Sequence, residues 1–131
     1  MIALDTNVVV RLLVDDDPEQ CRRARRLVEE AEKHQEPLWL CDIVMCETIW
    51  VLESCYDLGR DSIAPALKRL VRARQVVLQS SDQVAAALTA YSDGSADFAD
   101  YLILEHAKAA GCDRLVTFDR GLHGLARVGK P

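Results

Sequence analysis

The sequence alternates short apolar runs with longer amphipathic stretches, and no other feature constrains its fold as much. Apolar runs at residues 2–5, 38–41, 76–78 and 115–118 are predicted to be buried strands. The stretches between them repeat apolar residues every three or four positions, which is typical of helices. Strands separated by helices predict an α/β fold with a parallel sheet. We expect one domain over residues 1–131, with a central parallel sheet of four to five strands flanked by helices.

Helix boundaries are marked by residues that favour capping. Thr6 or Asn7 is expected to cap a short first helix, and Pro18 suits the first position of a helix that ends near residue 34. Asp42 is expected to cap a helix that ends near residue 56. Three more helices are predicted over residues 60–74, 82–91 and 97–110.

Composition narrows the class of protein. Half of the 131 residues are apolar and 28% are charged, as in folded globular domains. No apolar run exceeds five residues, whereas a membrane-spanning helix needs about 20. The N-terminus lacks the pattern of a signal peptide, and the five cysteines form no C-x-x-C pair. We therefore expect a cytoplasmic protein with reduced core cysteines and no contact with a membrane.

Acidic residues recur where an α/β sheet binds its ligands, beyond the carboxyl ends of the strands. Asp5 and Asp119 end the first and fourth predicted strands, Glu47 follows the second, and Asp97 and Asp100 lie on one face of a late helix. Glu47 lies in a helix that is apolar on nearly every side, so we expect it to be buried and to need a partner. Each acid also has an ordinary alternative role as a cap, a turn residue or a solvated side chain.

Five converging carboxylates would favour a hard cation, Mg²⁺ or Mn²⁺, over zinc. The three histidines are scattered, and the chain has no P-loop, G-x-S-x-G or G-x-G-x-x-G motif. A carboxylate-held cation suits phosphoryl chemistry, in which it activates water and stabilises the charge that builds up on the phosphate.

Four motifs, taken in order, resemble those of the PIN-domain family. They are LDTNV at residues 4–8, Glu47 in the helix after the second predicted strand, DFADYLI at residues 97–103 and TFDR at residues 117–120. The resemblance covers essentially the whole chain and is closest to the VapC-like toxins of toxin–antitoxin pairs. It implies a Rossmann-like three-layer fold and a metal-dependent endoribonuclease that forms a homodimer and is inhibited by a cognate antitoxin.

The resemblance also assigns roles to individual residues. It implies four catalytic acids, which are Asp5, Glu47, Asp100 and Asp119. Asp97 would be an additional metal-ligating acid, and the polar residues that support the site would be Thr6, Asn7 and Thr117. Asp5 and Asp100 would hold one Mg²⁺, and the other acids would complete the site or form a second one. Activated water would then attack the phosphodiester in line and leave a 5′-phosphate and a 3′-hydroxyl. Whether Asp97 or Asp100 is the direct ligand stays open.

The net charge of −5 argues against a polyanionic partner. However, the five proposed ligands account for the whole excess, because the other 16 acids equal the 16 Lys and Arg residues. Arg120, Arg69 and Arg72 are candidate RNA contacts, as is the cluster of four arginines at residues 22–26, although all could be ordinary solvated residues. The aromatic residues expected in the core, and so lost to base stacking, are Trp39, Trp50, Phe98 and Phe118.

Three other functions fit parts of the pattern. A haloacid dehalogenase-type phosphatase requires an Asp where Asn7 stands, and a receiver domain requires adjacent acids after the first strand. The third alternative is a non-catalytic fold of the same family that only binds RNA or protein.

Overall fold

The computed structural model describes all 131 residues, which form six helices and five short strands. In chain order these are β1 (Ile2–Ala3), α1 (Thr6–Leu13), α2 (Pro18–Lys33), β2 (Leu38–Leu40), α3 (Asp42–Ser54), α4 (Arg60–Arg72), β3 (Val76–Leu78), α5 (Ser81–Asp93), α6 (Phe98–Ala109), β4 (Leu115–Val116) and β5 (Val128–Gly129). The predicted α/β class is confirmed.

All strand pairs are parallel, as expected, but hydrogen bonding divides the strands between two sheets. β2 lies between β1 and β3, with Leu38 opposite both Ile2 and Val76. β4 pairs only with β5, and residues 128–129 were not predicted to be a strand. The second sheet is small because each of its strands contributes only two residues to the ladder.

The chain divides into two compact units, Met1–Ser80 and Ser81–Pro131. The first unit buries apolar side chains of α1, β2, α3 and α4, including Val9, Leu40, Met45, Ile49 and Ile63. The second unit buries Val84, Leu88, Tyr91, Phe98 and Leu102. The rings of Tyr91 and Phe98 meet edge to face with their centroids 6.3 Å apart, which joins α5 to α6.

Helix starts follow the predicted caps in part. The side chain of Asp17 accepts a hydrogen bond from the Gln20 N–H at 3.0 Å, and Pro18 begins α2 as expected. The predictions for α1 and α3 were wrong, because their N-cap residues are Asp5 and Cys41. Thr6 and Asp42 are already helical. Gly111, at a φ of +82°, follows the end of α6.

The five thiols are free, but only Cys21 is fully buried, so the expected core position is wrong for the exposed Cys55 and Cys112. No helix is both long and apolar enough to cross a bilayer.

Candidate active site

Three of the predicted site acids lie together in the second unit. Asp97 is the N-cap residue of α6, Asp100 lies in the first turn of that helix, and Asp119 lies in the loop after β4. Asp100 shares a hydrogen bond with the carboxyl group of Asp119, and both Asp97 and Asp119 act on it electrostatically. Asp97 makes no side-chain cap bond, so its carboxylate is not committed to the helix end.

This arrangement raises the pKa of Asp100 to about 6. Burial is the largest cause, followed by the hydrogen bond with Asp119 and by the negative charges of Asp119 and Asp97, while a backbone hydrogen bond from Asp97 acts in the opposite direction. Two carboxyl groups can share a hydrogen bond only if one of them carries a proton. A divalent cation could replace that proton, so these oxygen donors fit a hard metal ion.

The loop after β4 is organised around Asp119. The Asp119 N–H donates to the Thr117 hydroxyl at 3.0 Å, and the Gly121 N–H donates to Asp119 Oδ1 at 2.8 Å. The Thr117 carbonyl is 2.9 Å from a ring nitrogen of His123. Gly121 has no room for a side chain, because a Cβ there would lie 2.9 Å from the Cβ of Ala96. Thr117, Gly121 and His123 are therefore joined by hydrogen bonds in the loop that carries Asp119.

The other two acids belong to the first unit. Asp5 is exposed at the N-cap of α1, and its side chain makes no cap bond. Thr6 is buried, and its hydroxyl donates to Glu47 Oε2 at 2.9 Å, which holds that carboxylate against the start of α1. Asn7 is exposed one residue further along the helix.

The prediction that Glu47 is buried was wrong. Glu47 is exposed on α3, between Ile43 and Trp50, which are themselves 67% and 63% exposed. Because these apolar neighbours occupy the same face of the helix without being covered, they do not bury the carboxylate. Burial therefore does not force Glu47 to find a partner, and its position depends on the hydrogen bond from Thr6.

The candidate RNA contacts Arg69, Arg72 and Arg120 are all exposed. Two aromatic predictions were wrong, because Trp50 is 63% exposed and Phe118 is 85% exposed. Phe98 is buried as expected, whereas Trp39 is only partly buried.

A groove of about 390 Å³ opens beside Asn7 in the first unit, between α1 and α2. Its polar lining includes Arg11, Gln20 and Arg23. The Arg11 guanidinium donates to Gln20 at 2.7 Å and to the Tyr56 hydroxyl at 2.9 Å, so it is held in place. Nothing in the sequence indicates this groove, because α1 and α2 bring its side chains together only in the fold.

No group of three or more Asp, Glu, His or Cys side chains in the structure is arranged to hold a metal ion. Asp97 and Asp119 each act on Asp100. When these carboxylates are ionised, the repulsion between their like charges opposes a closer approach unless a cation offsets it.

The family assignment comes from the whole chain, because residues 2–130 match the PIN domain family. The protein belongs to the PIN domain family. PIN domains are generally nucleases, typically metal-dependent, and PIN nucleases act on RNA. No curated protein significantly matches the chain.

Sequence reasoning missed two residues that shape this PIN domain around Asp119. Gly121 supplies both a backbone donor and the space beside Ala96, and His123 contacts the Thr117 carbonyl. The Asp-x-Gly spacing at residues 119–121 is a turn signal and could have indicated the role of Gly121. Nothing in the local sequence indicates that of His123.

Proposed function

We propose that this PIN domain is a metal-dependent endoribonuclease that hydrolyses RNA phosphodiester bonds. The observation that carries the proposal is the hydrogen-bonded pair of carboxyl groups, Asp100 and Asp119, in a member of a nuclease family. The repulsion between two adjacent carboxylates disfavours ionisation of both groups, and a bound cation reduces that repulsion.

Each side chain has a defined task in this proposal. Asp5, Asp97, Asp100 and Asp119 would hold Mg²⁺ or Mn²⁺, which when bound supplies positive charge that offsets the charge building up on the phosphate. Thr117 and Gly121 fix Asp119 through their two hydrogen bonds to it. Glu47, held by Thr6, is accessible to water and can orient it or accept its proton. Water would attack the phosphorus atom, and the bond between phosphorus and the 3′ oxygen would break. The 3′ oxygen would take up a proton, which leaves a 5′-phosphate and a 3′-hydroxyl.

Substitution of Asp5 tests the proposal. Asp5 is exposed and makes no side-chain cap bond, so Asp5→Asn should leave the fold unchanged and abolish RNA cleavage. Cleavage of a labelled RNA would be measured with Mg²⁺, with Mn²⁺ and with EDTA. Asp113→Asn, which removes an exposed acid that lies outside all four motifs, is the matched control and should cleave normally. Normal cleavage by folded Asp5→Asn would overturn the assignment.

We further propose that the protein is a VapC-like toxin that acts in the cytoplasm, forms a homodimer and is inhibited by a cognate antitoxin. The support is the likeness of the four sequence motifs. A small neighbouring gene that encodes a DNA-binding protein with a C-terminal tail is expected. Co-expression of that protein should yield a complex that no longer cleaves RNA. Cleavage that the co-expressed protein leaves unchanged would instead favour a stand-alone nuclease, and RNA binding without cleavage under every metal condition would favour a binding module.

A further inference from the structure

Phe118 is the most exposed large apolar side chain in the structure, at 85%. It follows β4 at the point where the chain leaves the sheet, and Val116, two residues earlier on the same side, is 46% exposed. Exposing an entire phenyl ring to water gains nothing for folding, because burial of such a ring is strongly favourable. The ring of Phe118 is therefore available to a partner outside the folded chain.

The backbone on both sides of Phe118 is held in place. Thr117 and Asp119, its two neighbours, are joined by the hydrogen bond from the Asp119 N–H to the Thr117 hydroxyl. His123 contacts the Thr117 carbonyl, and Gly121 donates to the Asp119 carboxylate. The ring thus projects from an ordered loop, so little freedom is lost when a flat ligand lies against it.

The surroundings of Phe118 in the chain are basic, although the whole protein is acidic. We use the term basic segment for residues 114–130. Its only acid is Asp119, and its four cationic side chains are Arg114, Arg120, Arg127 and Lys130. All four are exposed and none forms a salt bridge. An exposed ring in a segment with four unpaired cations matches single-stranded nucleic acid, which offers a base to stack and phosphates to pair, better than it matches an apolar protein surface.

We propose that Phe118 is a base-stacking platform for single-stranded RNA. The ring would hold the base of a nucleotide that flanks the phosphate near Asp119, and the cations of the basic segment would contact the adjoining phosphates. Consecutive Cα atoms are about 3.8 Å apart, so a base on Phe118 leaves its own backbone within reach of residue 119. Every base has a flat face, so this contact contributes affinity with little sequence preference. The inference rests on the proposed function, because it places the substrate of that same site.

Binding of fluorescein-labelled single-stranded RNA to the Asp5→Asn protein in Mg²⁺ tests the stacking role. Adding Phe118→Ala should weaken binding about 5- to 150-fold, the loss of one base–aromatic stack. Phe118→Trp should bind like the parent, and its indole fluorescence should be quenched by RNA. The matched control is Leu125→Ala, which removes a 41% exposed apolar side chain from the same segment and should bind within about twofold of the parent.

An RNA of the same length with abasic positions separates stacking from charge. Phe118→Ala should bind this probe as weakly as the parent does, since no base remains to stack. Unchanged binding of ordinary RNA by Phe118→Ala would overturn the inference, and so would an equal loss on both probes. A change from dimer to monomer in sedimentation, with unchanged RNA affinity, would identify a protein contact instead and would also overturn it. Cleavage of RNA by the wild type is measured in parallel. Absence of cleavage would refute the proposed function, whereas loss of stacking is judged from the binding measurements.

Discussion

Replacing Asp100 with Asn removes one charge from the carboxylate cluster while keeping the shape of the side chain. The pKa of Asp100 is raised in the folded state, so ionisation of this group destabilises the folded protein relative to the unfolded one. That cost is absent when the group is protonated. It grows as the pH rises from about 4 and is complete above the folded-state pKa of about 6. In the absence of metal, Asp100→Asn should therefore be more stable than the wild type at pH 8.

The size of the effect follows from the pKa. A rise of the pKa from the ordinary value of 3.8 to about 6 corresponds to about 3 kcal/mol, because each tenfold change in the acid dissociation constant is worth about 1.4 kcal/mol. Asp119 shares part of the same interaction, and solvent screens the rest, so we expect about 1–3 kcal/mol. For a chain of this size that is a rise in Tm of about 3–10 °C.

Thermal unfolding followed by circular dichroism in EDTA, at pH 4, 6 and 8, measures this effect. The Tm of Asp100→Asn should match that of the wild type near pH 4 and exceed it at pH 8. Mg²⁺ should then raise the Tm of the wild type but not that of the variant, which should also have lost RNA cleavage. An Asp100→Asn protein that is less stable than the wild type at pH 8, or a difference that does not vary with pH, would refute the reasoning.

Two other contacts, Thr6 with Glu47 and Gly121 with Ala96, lead to further predictions. Thr6→Val removes the hydroxyl that holds Glu47, so kcat should fall about 2- to 12-fold, the value of one hydrogen bond, with little change in Tm. Thr6→Ser keeps the donor and should retain activity, and an equal loss in both variants would contradict the role of the hydroxyl. Gly121→Ala sets a Cβ against Ala96 and should cost about 1–3 kcal/mol of stability, together with weaker Mg²⁺ binding as Asp119 shifts. Urea denaturation and a Mg²⁺ titration measure both effects, and wild-type values in both would contradict the packing argument.

The alternation of strands and helices could be predicted because each element repeats its apolar residues with its own period. Helix starts were predictable where a side chain fixes them, as Asp17 does before Pro18. The start of α1 was not, because Asp5, Thr6 and Asn7 can all cap and only the fold selects among them. The division of the strands between two sheets depends on ladders two or three residues long, which leave no distinct pattern in the sequence.

The candidate site was predictable to the extent that topology positions it. Asp97, Asp100 and Asp119 were expected near one another, and in the second unit they interact. Burial was harder to predict than placement. Glu47 and Phe118 lie in apolar stretches, yet both are exposed. Apolar residues near them in the sequence, such as Trp50 and Val116, are exposed as well and do not shield them from solvent.

The net charge shows the same difference between composition and arrangement. A total of −5 suggests a protein that repels RNA, but only the local charge within about a Debye length of a phosphate affects its binding. The basic segment has four free cations and the single acid Asp119, and that acid is a proposed metal ligand. A bound divalent cation would offset two of the three negative charges of Asp97, Asp100 and Asp119, so the four cations of the basic segment would outnumber the charge that remains. An acidic PIN domain can therefore offer RNA a basic segment and an exposed aromatic ring next to Asp119, its proposed metal ligand.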